Sequence, residues 1–337
     1  MKKDDLTLKV TEVAAPIFTQ NDALAFQPAT ELRNRIGEAF NAWLTKSNSA
    51  DTRSNYERDL KQFLTFHQFQ LGEWEQLVTI RPSHVAEWRD HLLSLSRSNS
   101  GVYRKLTVLR SLFSYLKTYG YTGANPAHSD FVDAPHVPRD GKTVAFTPRD
   151  CRRLLDSPRV TTPVGLRDRA IFAVLAYSAC RVGELVKLRI GDYKTTAGHK
   201  VLEIRGKGGK ERRVALHPEA AERVEAWIST MCAASPNAPL FLSPRTSRGQ
   251  GRDGFTANGL TKRSIQKLVE RYAKRLRLDP AVTVHSFRVT ALTTARERGA
   301  DIVDLQDFAG HADPRTTQTY IRNRDRLSQS PAYVLKY

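Results

Sequence analysis

Apolar residues recur at every fourth position over 31–44, at Leu32, Ile36, Phe40 and Leu44, with charged and polar residues between them. That period keeps one face of an α-helix apolar, so the spacing predicts an amphipathic helix. The same rhythm returns over 51–66 with Tyr56, Leu60, Phe63 and Leu64, where Asp51 or Thr52 can cap the helix start. Pro82-Ser83 opens a third helix through Val85, Trp88 and Leu92, and Ser98–Ser100 precede a fourth whose face is Val102, Leu106, Leu109, Phe113 and Leu116. Four such faces can close on one another, which predicts a helical bundle ending near Gly120 and the Asn125-Pro126 pair.

The stretches on either side lack this period. Residues 1–29 read as a flexible leader, 30–128 as the helical domain, 129–145 as a Pro-, Asp-, His- and Gly-rich linker, and 146–337 as a second domain with a tail. Thr147-Pro148-Arg149-Asp150 carries a capping hydroxyl, a first-turn proline and a carboxylate, and so marks a helix start. A helix over 167–179 turns Ile171, Val174, Leu175 and Ser178 inward, and 183–188 come after a turn. Val201–Ile204 and Arg213–Leu216 are β-prone runs joined by Gly206-Lys207-Gly208-Gly209-Lys210, which predicts a hairpin with a basic tip. Residues 243–259, rich in Gly, Arg and Ser, read as a mobile loop, and helices resume with Ile265, Leu268, Val269, Tyr272 and Leu276. The expected fold class is mainly α with a small β-hairpin or sheet: an N-terminal helical bundle, then an α+β domain.

Charge narrows the function. Lys and Arg number 53 against 35 Asp and Glu, giving a formal net charge of +18. So much positive charge, spread over the whole chain, suits a polyanionic partner such as DNA, which binds with release of counterions. No apolar run is long enough to span a membrane, and the charged start lacks a signal core, so the expected location is the cytoplasm. Cys151, Cys180 and Cys232 lack metal-ligand spacing and read as buried free thiols.

Four local patterns could carry chemistry. In Cys180-Arg181-Val182-Gly183-Glu184, an arginine at a helix break has an acid three residues on, able to hold its guanidinium. The hairpin tip offers Lys207 or Lys210 as a proton donor. His285-Ser286-Phe287-Arg288 places imidazole and guanidinium on one helical face. Gly310-His311 ends a helix, Asp313-Pro314 opens the next, and that helix reaches Tyr320, nine residues after His311.

In chain order these are Arg, Lys, His-x-x-Arg, Gly-His and Tyr, within a basic two-domain chain. The pattern closely resembles the tyrosine recombinases, the phage integrase family that includes Cre recombinase and the bacterial chromosome-dimer resolving enzymes. The resemblance spans roughly the whole chain beyond the leader. It implies a two-domain clamp around duplex DNA, with the second domain catalytic. Tyr320 would be the nucleophile, forming a 3′-phosphotyrosyl link, with His285 as its base. Arg181 and Arg288 would bind the non-bridging oxygens in place of a metal, and His311 would donate a hydrogen bond to the phosphate. Lys207 would protonate the leaving 5′ oxygen, with Lys210 an alternative on the same turn, and Glu184 would support Arg181. No metal or nucleotide cofactor is called for, since the phosphotyrosyl link conserves bond energy and the glycine-rich turn lacks a phosphate-loop pattern.

The family further implies four protomers on paired half-sites, strand exchange through a Holliday junction, and a C-terminal tail that docks on a neighbouring protomer. Accessory DNA-bending proteins would be further partners. The outcome would be integration, excision or dimer resolution. Type IB topoisomerases share the Arg, Lys, Arg, His and Tyr chemistry, and a DNA-binding protein that had lost cutting would share the charge. The separate helical domain and the Gly-His to Tyr spacing favour the recombinase.

Overall fold

The structure is a computed structural model that describes residues 29–70, 72–138, 143–206, 209–231, 235–245 and 254–321. The leader predicted over 1–29 lies outside the described residues except for its last position. The chain divides into two compact units, Met1–Pro138 and Arg139–Tyr337.

The first unit is built from α1 (Ala29–Thr45), α2 (Ala50–Phe66), α3 (Pro82–Ser94) and α4 (Asn99–Thr118), with a 3₁₀ turn at Trp74–Thr79. The predicted stripes form its core: Ile36, Phe40, Leu60, Phe63, Val85, Trp88, Leu106, Leu109 and Phe113 are all buried. The second helix is capped by Ser49, whose hydroxyl accepts from the Thr52 amide, rather than by Asp51 or Thr52. Asp59 is buried, and Arg104 and Lys105 of α4 both bind it, tying the two helices together. The connection beyond 128 begins as part of this unit. Val132 is buried, and Arg110 donates to the carbonyls of Ala127 (2.8 Å) and Val132 (2.7 Å).

The second unit starts with α5 (Pro148–Asp156), capped by Thr147, and α6 (Pro163–Ser178), which begins a turn before the predicted start because Thr162 caps it and Pro163 opens it. The four-residue helix α7 (Val182–Leu185) comes next. Then β1 (Tyr193–Thr196), β2 (His199–Arg205) and β3 (Glu211–Ala215) form an antiparallel sheet in that order. The predicted hairpin is β2–β3, and β1 is a third strand that its Tyr-Lys-Thr-Thr sequence did not announce. α8 (Pro218–Ile228) packs on α6. The stretch predicted as a mobile loop instead supplies a second two-stranded sheet, β4 (Leu242–Pro244) with β5 (Phe255–Gly259), stabilised by pairing that single-sequence patterning cannot see. Residues 246–253 lie outside the described residues. The chain then runs through α9 (Lys262–Arg275), α10 (Val284–Glu297), α11 (Ile302–Ala309) and α12 (Pro314–Ile321).

α6 is buried nearly all round, including Ile171, Phe172, Val174 and Leu175, so it is the central element against which the others pack. Among the described residues, no helix is long and apolar enough to cross a membrane. Cys180 is buried and Cys151 half-buried, and burial pushes both thiols up to about 11.

Trp227 of α8 is fully buried, donates Nε1–H to the Leu240 carbonyl at 2.7 Å and meets Phe255 edge-on. Trp227→Ala therefore lowers the free energy of unfolding by about 3–5 kcal/mol in urea titrations. A loss under about 1 kcal/mol would contradict this packing.

Candidate active site

The site is organised by a buried guanidinium. Arg288 lies in the first turns of α10 and is 1% exposed. Its Nη1 donates to the Ala179 carbonyl, and its Nη2 donates to the Ala309 carbonyl at 2.7 Å. Both acceptors stand at helix C-termini. Ala179 caps α6 in the left-handed conformation (φ 48°), and Gly310 caps α11 in the same conformation (φ 61°) just after Ala309. Terminal carbonyls lack intrahelical partners and carry the negative end of the helix dipole, so two of them can hold a cation away from water. Ala179, Leu292, Leu305 and Ala309 seal an apolar cluster alongside.

This arrangement fixes the residues just past each helix. Two residues beyond Ala179 the chain delivers Arg181, and two beyond Ala309 it delivers His311. His311 is buried, and its Nε2 lies 2.6 Å from Arg288 Nη2. Arginine has no acceptor, so Nε2 accepts and the imidazole proton sits on Nδ1, which donates to Thr317 Oγ1 at 2.9 Å. Thr317, fully buried, belongs to α12 and lies one turn before Tyr320. The phosphate-binding candidates and the tyrosine's helix are thus joined by a single side-chain relay, Arg288–His311–Thr317.

Arg181 is the N-cap of α7, and Glu184 at the third position of that helix returns to it twice. The Arg181 amide donates to Glu184 Oε2 at 2.9 Å, and Arg181 Nη1 donates to Oε1 at 3.0 Å. The Arg181 side chain remains 43% exposed, whereas that of Glu184 is only 6% exposed. Burial pushes the Glu184 carboxyl up, but hydrogen bonds from Arg212 and Arg181 outweigh it and hold the group below the usual carboxylate range.

His285 shares the face of α10 with Arg288 and is exposed. Its pKa lies below the ordinary histidine value, first through desolvation and then through repulsion by Arg288 and Arg181. His311 is pushed down further, to about 4, by desolvation and by Arg288, Arg181, Arg212 and His285. Both rings are therefore neutral at pH 7. Lys207 lies outside the described residues; the neck of its turn is closed by the Gly206 amide donating to the Lys210 carbonyl at 2.7 Å. The helix backbone at Tyr320 is described, and its side chain lies outside the described residues.

Two participants were not among the sequence candidates: Thr317 and Arg212. Thr317 lies three residues before Tyr320 on α12, and that short spacing is the signal the sequence offered. Arg212 shares strand parity with Val214 and Leu216, so alternation could have placed it on the inner face.

Profile comparison decides the family. Residues 145–326, over half of the chain, match the phage integrase family, and residues 40–120 match the phage integrase N-terminal SAM-like domain. The chain belongs to the phage integrase family. It is 31% identical over 300 residues to tyrosine recombinase XerC of Pelobacter propionicus, covering 83% of this chain and 88% of that protein. It is 29% identical to tyrosine recombinase XerD of Listeria monocytogenes, covering 81% and 88%. Among solved structures, the Tn1549 transposon integrase in complex with circular intermediate DNA aligns with a TM-score of 0.65 at 18% identity, covering 89% of this chain and 99% of that one. The XerH recombinase bound to its palindromic difH substrate aligns with a TM-score of 0.64 at 17% identity, covering 91% and 97%. These neighbours share the integrase fold.

The depressed His311 pKa has a consequence for stability. Between pH 6.5 and about 4 the unfolded chain binds a proton at this residue more readily than the folded chain does. The contribution is fully present above pH 6.5 and is lost as pH falls through that window, and His285 acts in the same direction. His311→Asn should flatten the fall in urea midpoint between pH 6.5 and 4. An unchanged slope would mean that His311 is not held neutral.

Proposed function

We propose that this integrase-family enzyme cuts and rejoins duplex DNA through Tyr320, with Arg181, Arg288 and His311 holding the scissile phosphate. The observation that carries the reading is the relay from Arg288 through His311 to Thr317, which binds the tyrosine's helix to the anion-binding end of the site. Tyrosine is a weak nucleophile while protonated, and neutral His285, its pKa lowered, suits the role of base. Attack forms the bond from Tyr320 oxygen to phosphorus and breaks the bond from phosphorus to the 5′ oxygen. The tyrosine proton passes to His285, and the leaving oxygen takes one from Lys207. Arg181 and Arg288 stabilise the charge that develops on the non-bridging oxygens.

His311 fits the cycle through its tautomer. Its Nε2 accepts from Arg288 in the structure. A phosphodiester introduces negative charge against the cations that depress the His311 pKa, so phosphate entry raises that pKa and favours an Nε2–H that can donate to it.

Exchange between two duplexes cuts two strands in each, so four tyrosines and a tetramer on paired half-sites are required, with a Holliday junction between the two rounds. Accessory DNA-bending proteins complete the assembly. The likeness to XerC and XerD over most of both chains supports dimer resolution as the task. The net charge of +18 supports double-stranded DNA as the partner, engaged in the cytoplasm.

Incubation with a nicked duplex library, followed by denaturation, should trap a 3′-linked adduct with the parent and none with Tyr320→Phe. Arg181→Ala should slow adduct formation by about 10²–10³-fold. An adduct in Tyr320→Phe would reassign the nucleophile, and DNA binding without any adduct would make the chain a binding protein.

The two lysines separate on leaving-group chemistry. Lys207→Ala should slow cleavage by about 10²-fold or more and recover when the 5′-bridging oxygen is sulfur, which leaves without a proton. Lys210→Ala should show neither effect; the reverse pattern moves the acid to Lys210.

A further inference from the structure

Arg212 occupies a position where β3 should carry an apolar side chain. Along this strand Val214 is buried and Glu211, Arg213 and Ala215 are exposed, while Arg212 faces inward with Val214 and pairs across the sheet with fully buried Ile204. A charge on the core side of a sheet is costly unless its donors are matched. Arg212 Nη2 donates to Glu184 Oε2 at 2.9 Å, and its Nε donates to the Phe308 carbonyl at 3.1 Å. Its guanidinium also lies against Gly310, where a Cβ would stand 2.9 Å from Nη1 and 3.3 Å from Cζ. Gly310 is thus required twice, by its positive φ and by the approach of Arg212.

These contacts join three segments. β3 leaves the neck of the basic hairpin. Glu184 carries Arg181, and a Cβ on Gly206 at the neck would stand 3.6 Å from its Oε1. Phe308 and Gly310 form the turn that delivers His311. By occupying Glu184 Oε2, Arg212 leaves Arg181 with one side-chain bond to that carboxylate, on Oε1. Without Arg212, both carboxylate oxygens could take the Arg181 fork and draw it off the phosphate.

We infer that Arg212 is a positioning residue that locks the hairpin neck, the Arg181–Glu184 pair and the His311 turn into one register. It acts through Glu184 and His311: its side chain is only 13% exposed, against 43% for Arg181. The inference rests on the reading that Arg181 and His311 bind the scissile phosphate.

The test measures single-turnover cleavage, DNA affinity and the NMR titration of His311 in the full-length parent, Arg212→Met, Glu184→Gln, the double variant and Arg181→Ala. Arg212→Met should cut the cleavage rate by about 10²-fold, the scale of a misplaced catalytic group, with DNA affinity within about 2-fold of the parent. It should also move the His311 pKa upward, because one repelling cation is gone. The double variant should be no slower than the slower single variant, since both break one linkage. If Arg212→Met does not fold, Arg212→Lys takes its place with the same expectations for rate and double variant, because one ammonium cannot meet Glu184 and the Phe308 carbonyl together. Unchanged cleavage in the Arg212 variant, or losses that multiply in the double variant, would overturn the inference. Parental cleavage by Arg181→Ala would instead remove the phosphate-binding reading beneath it.

Discussion

A guanidinium held between two helix C-termini is the constraint on which the site depends. Arg288 joins the last carbonyls of α6 and α11, and those helices deliver Arg181 and His311 respectively. The buried charge would be expensive by itself. It is tolerated because two helix ends, each with a left-handed cap, present carbonyls that have no partner inside their own helices. Arg288 is therefore a structural staple that ties the ends of both helices together.

The second layer of control is a carboxylate shared between arginines. Glu184 holds Arg181 through its side chain and main chain, and it holds Arg212 through the remaining valence of Oε2. Its low pKa keeps it ionised, so the carboxylate compensates part of the positive charge around it. The surplus cations still hold the pKa values of both histidines below the ordinary value. A phosphodiester between Arg181 and Arg288 would offset part of that positive charge.

Helical periodicity made most of this fold legible in the sequence. The stripes through Ile36, Leu60, Trp88 and Leu109 became a buried core, because a 3.6-residue repeat reports directly on one face of a helix. Ser49 displaced the expected caps because its hydroxyl, upstream of both, reaches the Thr52 amide. β4 and β5 were invisible: each is short, and their pairing depends on contacts distant in sequence. In the site, the order Arg181, Lys207, His285, Arg288, His311 and Tyr320 stood out as a pattern and carried the family resemblance. Arg212 and Thr317 did not stand out. Arginines abound in so basic a chain and threonines are ordinary on helix surfaces, so only three-dimensional proximity to Glu184 and His311 distinguishes them.

If one phosphate is gripped by Arg181, Arg288 and His311 while Tyr320 attacks it, a transition-state mimic will meet all four groups at once. Vanadate can take the place of the pentacovalent phosphorus between a tyrosine and a DNA 5′ hydroxyl, so a crystal structure of the protein with gapped duplex DNA and vanadate tests it most directly. The expected result is vanadium bonded to the Tyr320 oxygen, with nitrogens of Arg181, Arg288 and His311 within hydrogen-bonding distance of its equatorial oxygens. Vanadium bonded to another residue, or equatorial oxygens beyond the reach of both arginines, would contradict it.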